Sequence, residues 1–485
     1  MRDLHLPWLE ISILIPLVGA LVVSRMRDLE RARSWTLIIT GIAFLCAVGE
    51  WVDFATLGTA VADDPIHLMY RLFGHEAFFI DHFSAPLFSL GALLYFLTTI
   101  ATLRTKVRRF SFAGMLISET ILLATLSCTS DEPWLLIALL GLGTLQPYFE
   151  LRARGKSSRV YLLHMALFVG LLVVGQKFVD LEKGNATYSW WAMAPLLIAV
   201  MVRNGIAPFH CWATELFENA SFGTALLFVA PMTGAFAAVR LVLPVIPDEI
   251  LRNVALISLV TSVYAASMSL IQRDARRFFC YLFLSHSAMV LFGIEMVTQI
   301  GLTGALCVWL SVGLSLGGLG LTLRALESRC GRLSLVDYQG HYEHTPNLAM
   351  CYLLTGLASV GFPGTLGFVG TELLVDSAVD SYPYFGIAVV IAAAINGIAI
   401  VQAYFLLFTG KQYFSSVSLL IRTRERFAVL VLAGLILIGG IIPQPNISSR
   451  NEAVEDILKQ RAALSLGGDP HVRRLDEKPD LTHIK

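Results

Sequence analysis

The chain has 485 residues, 56% of them hydrophobic and 15% charged, with a formal net charge of zero at pH 7. That balance excludes a nucleic-acid partner, and apolar runs this long make the lipid bilayer the solvent of the fold. Seven cysteines, at 46, 128, 211, 280, 307, 330 and 351, include no Cys-x-x-Cys pair, which argues against an iron–sulfur cluster and a disulfide framework.

Runs of about 17–25 apolar residues are candidates to cross the hydrocarbon core. Fourteen are read in chain order: 8–24, 35–52, 83–103, 111–127, 133–149, 159–176, 190–206, 223–243, 250–271, 278–298, 301–323, 347–377, 384–409 and 426–443. The predicted class is an all-α polytopic membrane protein. Basic residues cluster after run 1 (Arg25, Arg27, Arg31, Arg33), run 3 (Arg104, Lys106, Arg108, Arg109), run 5 (Arg152, Arg154, Lys156, Arg159) and run 9 (Arg273, Arg276, Arg277). Acidic pairs lie between them: Asp63 with Asp64, Asp131 with Glu132, and Asp248 with Glu249. Basic loops face the cytoplasm, so both termini are expected on the outer side, with 444–485 as an external polar tail in which Ala453–Leu464 could form a short helix.

Two runs are interrupted. Run 7 ends in Arg203-Asn204-Gly205-Ile206-Ala207-Pro208-Phe209-His210-Cys211-Trp212, and run 12 contains Gly361-Phe362-Pro363-Gly364-Thr365. Pro removes a helix donor and clashes with the preceding turn, and a charge at mid-membrane costs about 2.5–3.5 kcal/mol on the insertion scale. Breaks at Pro208 and at Gly361, Pro363 and Gly364, each beside a charge, point to a transporter of two related halves with discontinuous helices.

Three stretches carry a family resemblance. Arg203 to Ser221 has Pro208, Phe209, His210 and Trp212 in register with a Lys-x-x-x-x-Pro-Phe-His-x-Trp block. Gln272 to Arg277, with Tyr281 and Ser285-His286, matches a Gln-x-Asp-x-Lys-Arg block, and Gly361 to Glu372 matches a Gly-x-Pro-Gly-Thr block. Ile80-Asp81-His82-Phe83-Ser84 adds weaker support. Together they resemble the antiporter-like membrane subunits of respiratory complex I (NADH-quinone oxidoreductase), of membrane-bound hydrogenases and of multi-subunit sodium/proton antiporters. The resemblance implies fourteen helices with two inverted five-helix repeats, broken helices 7 and 12, and other membrane subunits as partners. It divides the chain into an N-terminal three-helix segment (1–110), a first repeat (111–243), a second repeat (250–410), a final helix (411–443) and the tail (444–485).

That family moves protons along buried lysines and glutamates, and here the chain departs from it. The position of the family's helix-5 Glu falls near Gly141 or Leu142, that of the helix-7 Lys at Arg203, that of the helix-8 Lys at Pro231 or Met232, and that of helix 12 at Thr371. A guanidinium stays protonated, so Arg203 can hold an anion or bias a neighbour but cannot relay a proton.

The ion-pathway candidates are Arg203, Glu119, Glu372, His286, His210 and His164. Arg203 is a fixed positive centre or a snorkelling arginine. Glu119 is its partner or a protonated hydrogen bonder. Glu372 gates a second half-channel or sits at a helix end. His286 connects two half-channels or packs neutral, His210 moves protons or caps freed backbone groups, and His164 conducts or packs.

The first functional expectation is an ion-translocating, proton-type subunit of a complex I-like assembly in a bacterial cytoplasmic membrane, with a degenerate charge axis. Nothing in the chain binds a cofactor or metal, so it performs no redox step alone. The alternatives are the membrane partner of a carbonic-anhydrase-like zinc protein in inorganic-carbon accumulation, and a non-conducting structural paralogue.

Overall fold

The computed structural model describes residues 2–67, 77–102, 111–183, 187–410 and 423–465. The basic residues Arg104, Lys106, Arg108 and Arg109, and the tail beyond 465, lie outside the described residues. The chain is mostly helical. Among the described residues, eight helices are long and apolar enough to cross a membrane, and four shorter apolar helices accompany them.

The N-terminal part consists of α1 (Trp8–Ser24), α2 (Leu29–Leu57) and α3 (Ala85–Ile100). Next come α4 (Phe112–Leu126), α5 (Pro133–Gly143), α6 (Leu145–Ala153) and α7 (Arg159–Leu181). Run 7 is split into α8 (Trp190–Asn204) and α9 (Cys211–Asn219). Run 8 is split too, into α10 (Phe222–Val229), α11 (Thr233–Ala237) and a π-turn at Ala238–Val242. This third interruption was not expected. Pro231 cannot donate to Leu227, and Met232 takes a left-handed φ of 50°.

The second part holds α12 (Asp248–Leu270), α13 (Ala275–Glu295) and α14 (Gln299–Cys330). Run 12 is split into α15 (Pro346–Ser359) and α16 (Gly367–Ser381), and α17 (Pro383–Phe408) and α18 (Thr423–Ile441) follow. The core centres on α13 and α14, whose most apolar stretches are wholly enclosed.

Two features depart from the expectation, one a small sheet and the other a longer tail helix. Short strands β1 (Arg2–Asp3), β2 (Val61–Asp63) and β3 (Ile80–Asp81) form a three-stranded sheet, with β1 parallel and β3 antiparallel to β2. Strands of two or three residues leave no readable alternation. The tail is ordered as helix α19 (Gln444–Ser465), nine residues longer at its start than expected and bent 82° from α18. It is held because Arg450, almost fully buried, donates to the carbonyls of His82 and Phe83 at 2.7 and 3.2 Å.

A polar seam between two helix breaks

Both breaks use one backbone device. At the end of α8, Gly205 N–H bonds Val202 O (3.2 Å) and Ile206 N–H bonds Met201 O (2.9 Å). At the end of α15, Gly361 N–H bonds Ala358 O (3.2 Å) and Phe362 N–H bonds Leu357 O (3.2 Å). These are paired Schellman bonds with glycine in the left-handed position, φ 69° at Gly205 and 78° at Gly361. Pro208 lies in the α8–α9 link, and Pro363 and Gly364 lie in the α15–α16 link, whose Leu366 N–H is taken by Ile436 O of α18 at 3.0 Å.

Arg203 stands one turn before the first break and is buried. Its Nη2 donates to Phe228 O at 3.0 Å and to Thr233 Oγ1 at 2.8 Å. Phe228 O is an orphan of the third break, because Met232 N–H turns instead to Val229 O. A cation at the carbonyl end of α10 is favoured by the helix dipole as well as by the hydrogen bond. The guanidinium carbon also lies 4.0 Å from the Phe228 ring centre and 5.4 Å from that of Trp212. Trp212 Nε1 in turn closes the break by donating to Val202 O at 2.8 Å. The Arg203 side chain therefore points inward, against the third break.

From the neighbouring residue the seam continues into α13. Asn204 Oδ1 accepts from Ser287 Oγ at 3.3 Å. His286 places Nδ1 2.7 Å from Leu282 O and Nε2 2.9 Å from Ser359 O, a carbonyl left free at the end of α15. Ser285 Oγ accepts from Asn396 Nδ2 of α17 at 2.8 Å and donates to Ser262 O of α12 at 2.9 Å. Three consecutive polar side chains on α13 thus reach the first break, the second break and the α12–α17 pair. Both partners of His286 are carbonyl acceptors. A neutral imidazole carries one N–H and serves one of them; the imidazolium serves both.

The other expected residues are placed differently. Glu119 is fully buried, and among the described residues neither carboxylate oxygen has a hydrogen-bond partner; it forms no ion pair with Arg203. Ser118, one residue earlier and so turned about 100° on the helix, faces Arg203's cavity instead. Glu372 is exposed on α16 and makes no hydrogen bond or ion pair among the described residues. The reason is helical phase: Thr371, not Glu372, turns inward toward the break and donates to Gly367 O. His210 makes no cap bond to α9; its Nδ1 is buried without a hydrogen-bond partner among the described residues, and its Nε2 is 3.4 Å from Tyr264 Oη. His164, half-buried on α7, bonds Val160 O of its own helix at 2.8 Å.

Sequence reasoning missed Arg240. It is buried inside the π-turn, in a run counted as apolar, and its Nη1 lies 2.8 Å from Asp81 Oδ2. Asp81 also accepts from Ser84 N–H and Oγ, each at 2.8 Å. Burial pushes the Asp81 carboxyl up, but Arg240 and Ser84 outweigh it and hold it below the usual carboxylate range. An arginine within run 8 was the available signal. Asn204 and Asn396 were missed because an amide among apolar residues has no spacing to mark it.

These features define a polytopic membrane protein in which discontinuous helices enclose a buried polar seam. A family model described as NADH:quinone oxidoreductase/Mrp antiporter, transmembrane, matches residues 156–396. NAD(P)H-quinone oxidoreductase chain 4 1 of a Picosynechococcus species is 26% identical over 96% of this chain and 95% of its own length. NADH-quinone oxidoreductase subunit M of Rickettsia prowazekii is 30% identical over 38% of each chain. In fold, the chain is similar to one in respiratory complex I from Thermus thermophilus, with TM-score 0.77 and 19% identity over 93% of this chain and 99% of that one. It is similar also to one in the Mrp complex of a Dietzia species, with TM-score 0.81 and 15% identity over 95% and 98%. The chain belongs to the antiporter-like membrane subunit family.

Proposed function

We propose that this chain is the ion-translocating, proton-type membrane subunit of a multi-subunit complex I-like assembly, and that its charge axis runs through hydroxyls, amides and one histidine in place of a row of lysines. The observation that carries this reading is the Ser285-His286-Ser287 hub, which joins the two breaks through hydrogen bonds of 2.8–3.3 Å. Arg203 supplies a fixed positive charge at one end. His286 is the switchable group, since gain or loss of one proton changes which carbonyl it serves.

On this reading, fourteen crossings form two inverted five-helix repeats at 111–243 and 250–410. The pairs α5–α6, α8–α9 and α15–α16 each make one crossing, as does α10 with its π-turn. Both termini lie on the outer side of a bacterial cytoplasmic membrane. The relatives named as quinone oxidoreductase subunits support a complex of several chains as the setting, with redox chemistry or exchange performed by the others.

The test uses the native complex, purified with this chain and reconstituted in vesicles. His286→Gln keeps one donor and loses the titration, so ion translocation is expected to fall by about 100-fold while the subunit composition is unchanged. Full translocation by an intact His286→Gln complex overturns the proposal, because translocation then does not depend on a titratable group at the hub.

A further inference from the structure

A cavity of about 30 Å³ adjoins Arg203. By that measure one water needs about 10–15 Å³, so the space takes two waters or one small ion. Its polar wall is made mainly of donors; Thr125, also in the wall, spends its O–H on Ile121 O at 2.6 Å. Nη2 of Arg203 is used by Phe228 O and Thr233, but Nε and Nη1 donate to no protein atom among the described residues. Thr233 Oγ1 accepts from the guanidinium, so its own O–H is free to donate. Tyr95 Oη and Ser118 Oγ are 2.7 Å apart; one donates to the other, and the second O–H is left for the cavity. The wall from α5 is Leu139, Leu140 and Gly143, which bring no carboxylate.

The charge balance is as one-sided as the hydrogen bonding. Among the described residues Arg203 forms no ion pair, and the buried acid nearest the cavity in sequence, Glu119, is not part of its lining, although it acts electrostatically on Tyr95, which is. Removing a cation from water costs several kcal/mol unless an opposite charge meets it. The ring of Phe228 returns only about 0.5–2 kcal/mol of this. Dipoles of a carbonyl and a hydroxyl do not supply a net negative charge.

We propose that this cavity is a binding site for one small monovalent inorganic anion of chloride size, which acts as the exchangeable counter-charge of Arg203. The anion would accept from Arg203 Nε and Nη1, from Thr233, and from whichever of Tyr95 and Ser118 has its O–H to spare. The inference goes beyond the proposed function and does not need transport to occur, so binding is measured without it.

The experiment is equilibrium binding of radioactive chloride to the purified full-length chain in lipid nanodiscs, with sodium gluconate holding ionic strength constant. Saturable binding of one chloride per chain is expected, displaced by bromide and not by gluconate. Arg203→Gln should weaken it about tenfold or more, because a charge-assisted contact is lost. Ser118→Ala, at a position that carries no charge, should weaken it a few-fold with the fold intact. Arg203→Lys should retain binding. Absence of saturable chloride binding to the wild-type chain overturns the proposal, and so does binding that Arg203→Gln leaves unchanged in folded protein. His286→Gln should bind chloride as the wild type does, which separates failure here from failure of translocation.

Discussion

Two buried guanidiniums, Arg203 at the end of α8 and Arg240 in the π-turn of run 8, have opposite surroundings. Arg240 meets Asp81 at 2.8 Å, at the acid-rich end of the molecule where Asp53, Asp64 and Asp81 act electrostatically on Glu50. Arg203 meets a carbonyl, a hydroxyl and two aromatic rings, and no acid among the described residues. A cation with its own carboxylate is a fastener: it ties the start of α3 to the π-turn, and nothing mobile can enter the pair. A cation without one keeps an unspent charge beside a cavity. The difference assigns structure to the first and ion chemistry to the second.

The largest effect should come from breaking the paired region. Asp81→Asn leaves Arg240 buried without its counter-charge, at an expected cost of about 3–5 kcal/mol. Thermal unfolding of the detergent-solubilised chain reads it. A variant as stable as wild type would mean that the pair is not a fastener, and the contrast with Arg203 would fail.

Next in size is the backbone that aims Arg203. A Cβ on Gly205 would stand 2.5 Å from Leu284 Cδ2, at a φ of 69°. Gly205→Ala therefore combines about 1–2 kcal/mol of left-handed strain with about 1–3 kcal/mol of overpacking. Gly364, with φ 82° and nothing within 4 Å of its Cβ, carries only the strain. Gly205→Ala should unfold at lower temperature than Gly364→Ala; equal midpoints would show that the first break tolerates rearrangement.

The acid-rich end should also be the pH-sensitive one. Asp64 accepts from the amides of Leu9 and Glu10 at the start of α1, at 3.3 and 2.5 Å, yet burial outweighs them and raises its carboxyl from 3.8 to about 7. The folded state thus holds a proton that the unfolded state releases. The cost of ionising Asp64 is absent below about pH 4, grows between 4 and 7, and is fully present above 7. Stability should fall across that window, and Asp64→Asn should remove this component of the fall. A variant with the wild-type pH profile of unfolding would locate the sensitivity elsewhere.

Much of this was legible in the chain. Pro208 in run 7, and Gly361, Pro363 and Gly364 in run 12, announced both breaks because glycine and proline change backbone options locally. Arg203 and His286 stood out as charges or near-charges in apolar runs. What was illegible is direction. Helical phase decides that Ser118 lines the cavity while Glu119 is enclosed apart from it, and that Thr371 turns in while Glu372 turns out. Phase depends on where each helix starts and how it leans, which residue spacing does not fix across a break. The Arg240–Asp81 pair joins positions 159 apart in sequence, and only the folded packing brings them together. Pro231 was visible, but a single proline in a long run does not distinguish a kink from a full interruption with an orphan carbonyl to be filled.

The smallest expected effect tests the rule behind the comparison, that a carboxylate matters here when a buried cation or an amide nest faces it. Glu372 faces neither: it is exposed on α16, with Asp376 and Asp380 following it at one-turn spacing on the same exposed side. Like charges four apart repel slightly, so Glu372→Gln should change the stability of the isolated chain by no more than about 0.5 kcal/mol, and toward stabilisation. A loss of 2 kcal/mol or more in the unfolding midpoint analysis would mean that Glu372 has a cationic partner within this chain. The separation between fastened and free charges would then have to be redrawn around the second break as well as the first.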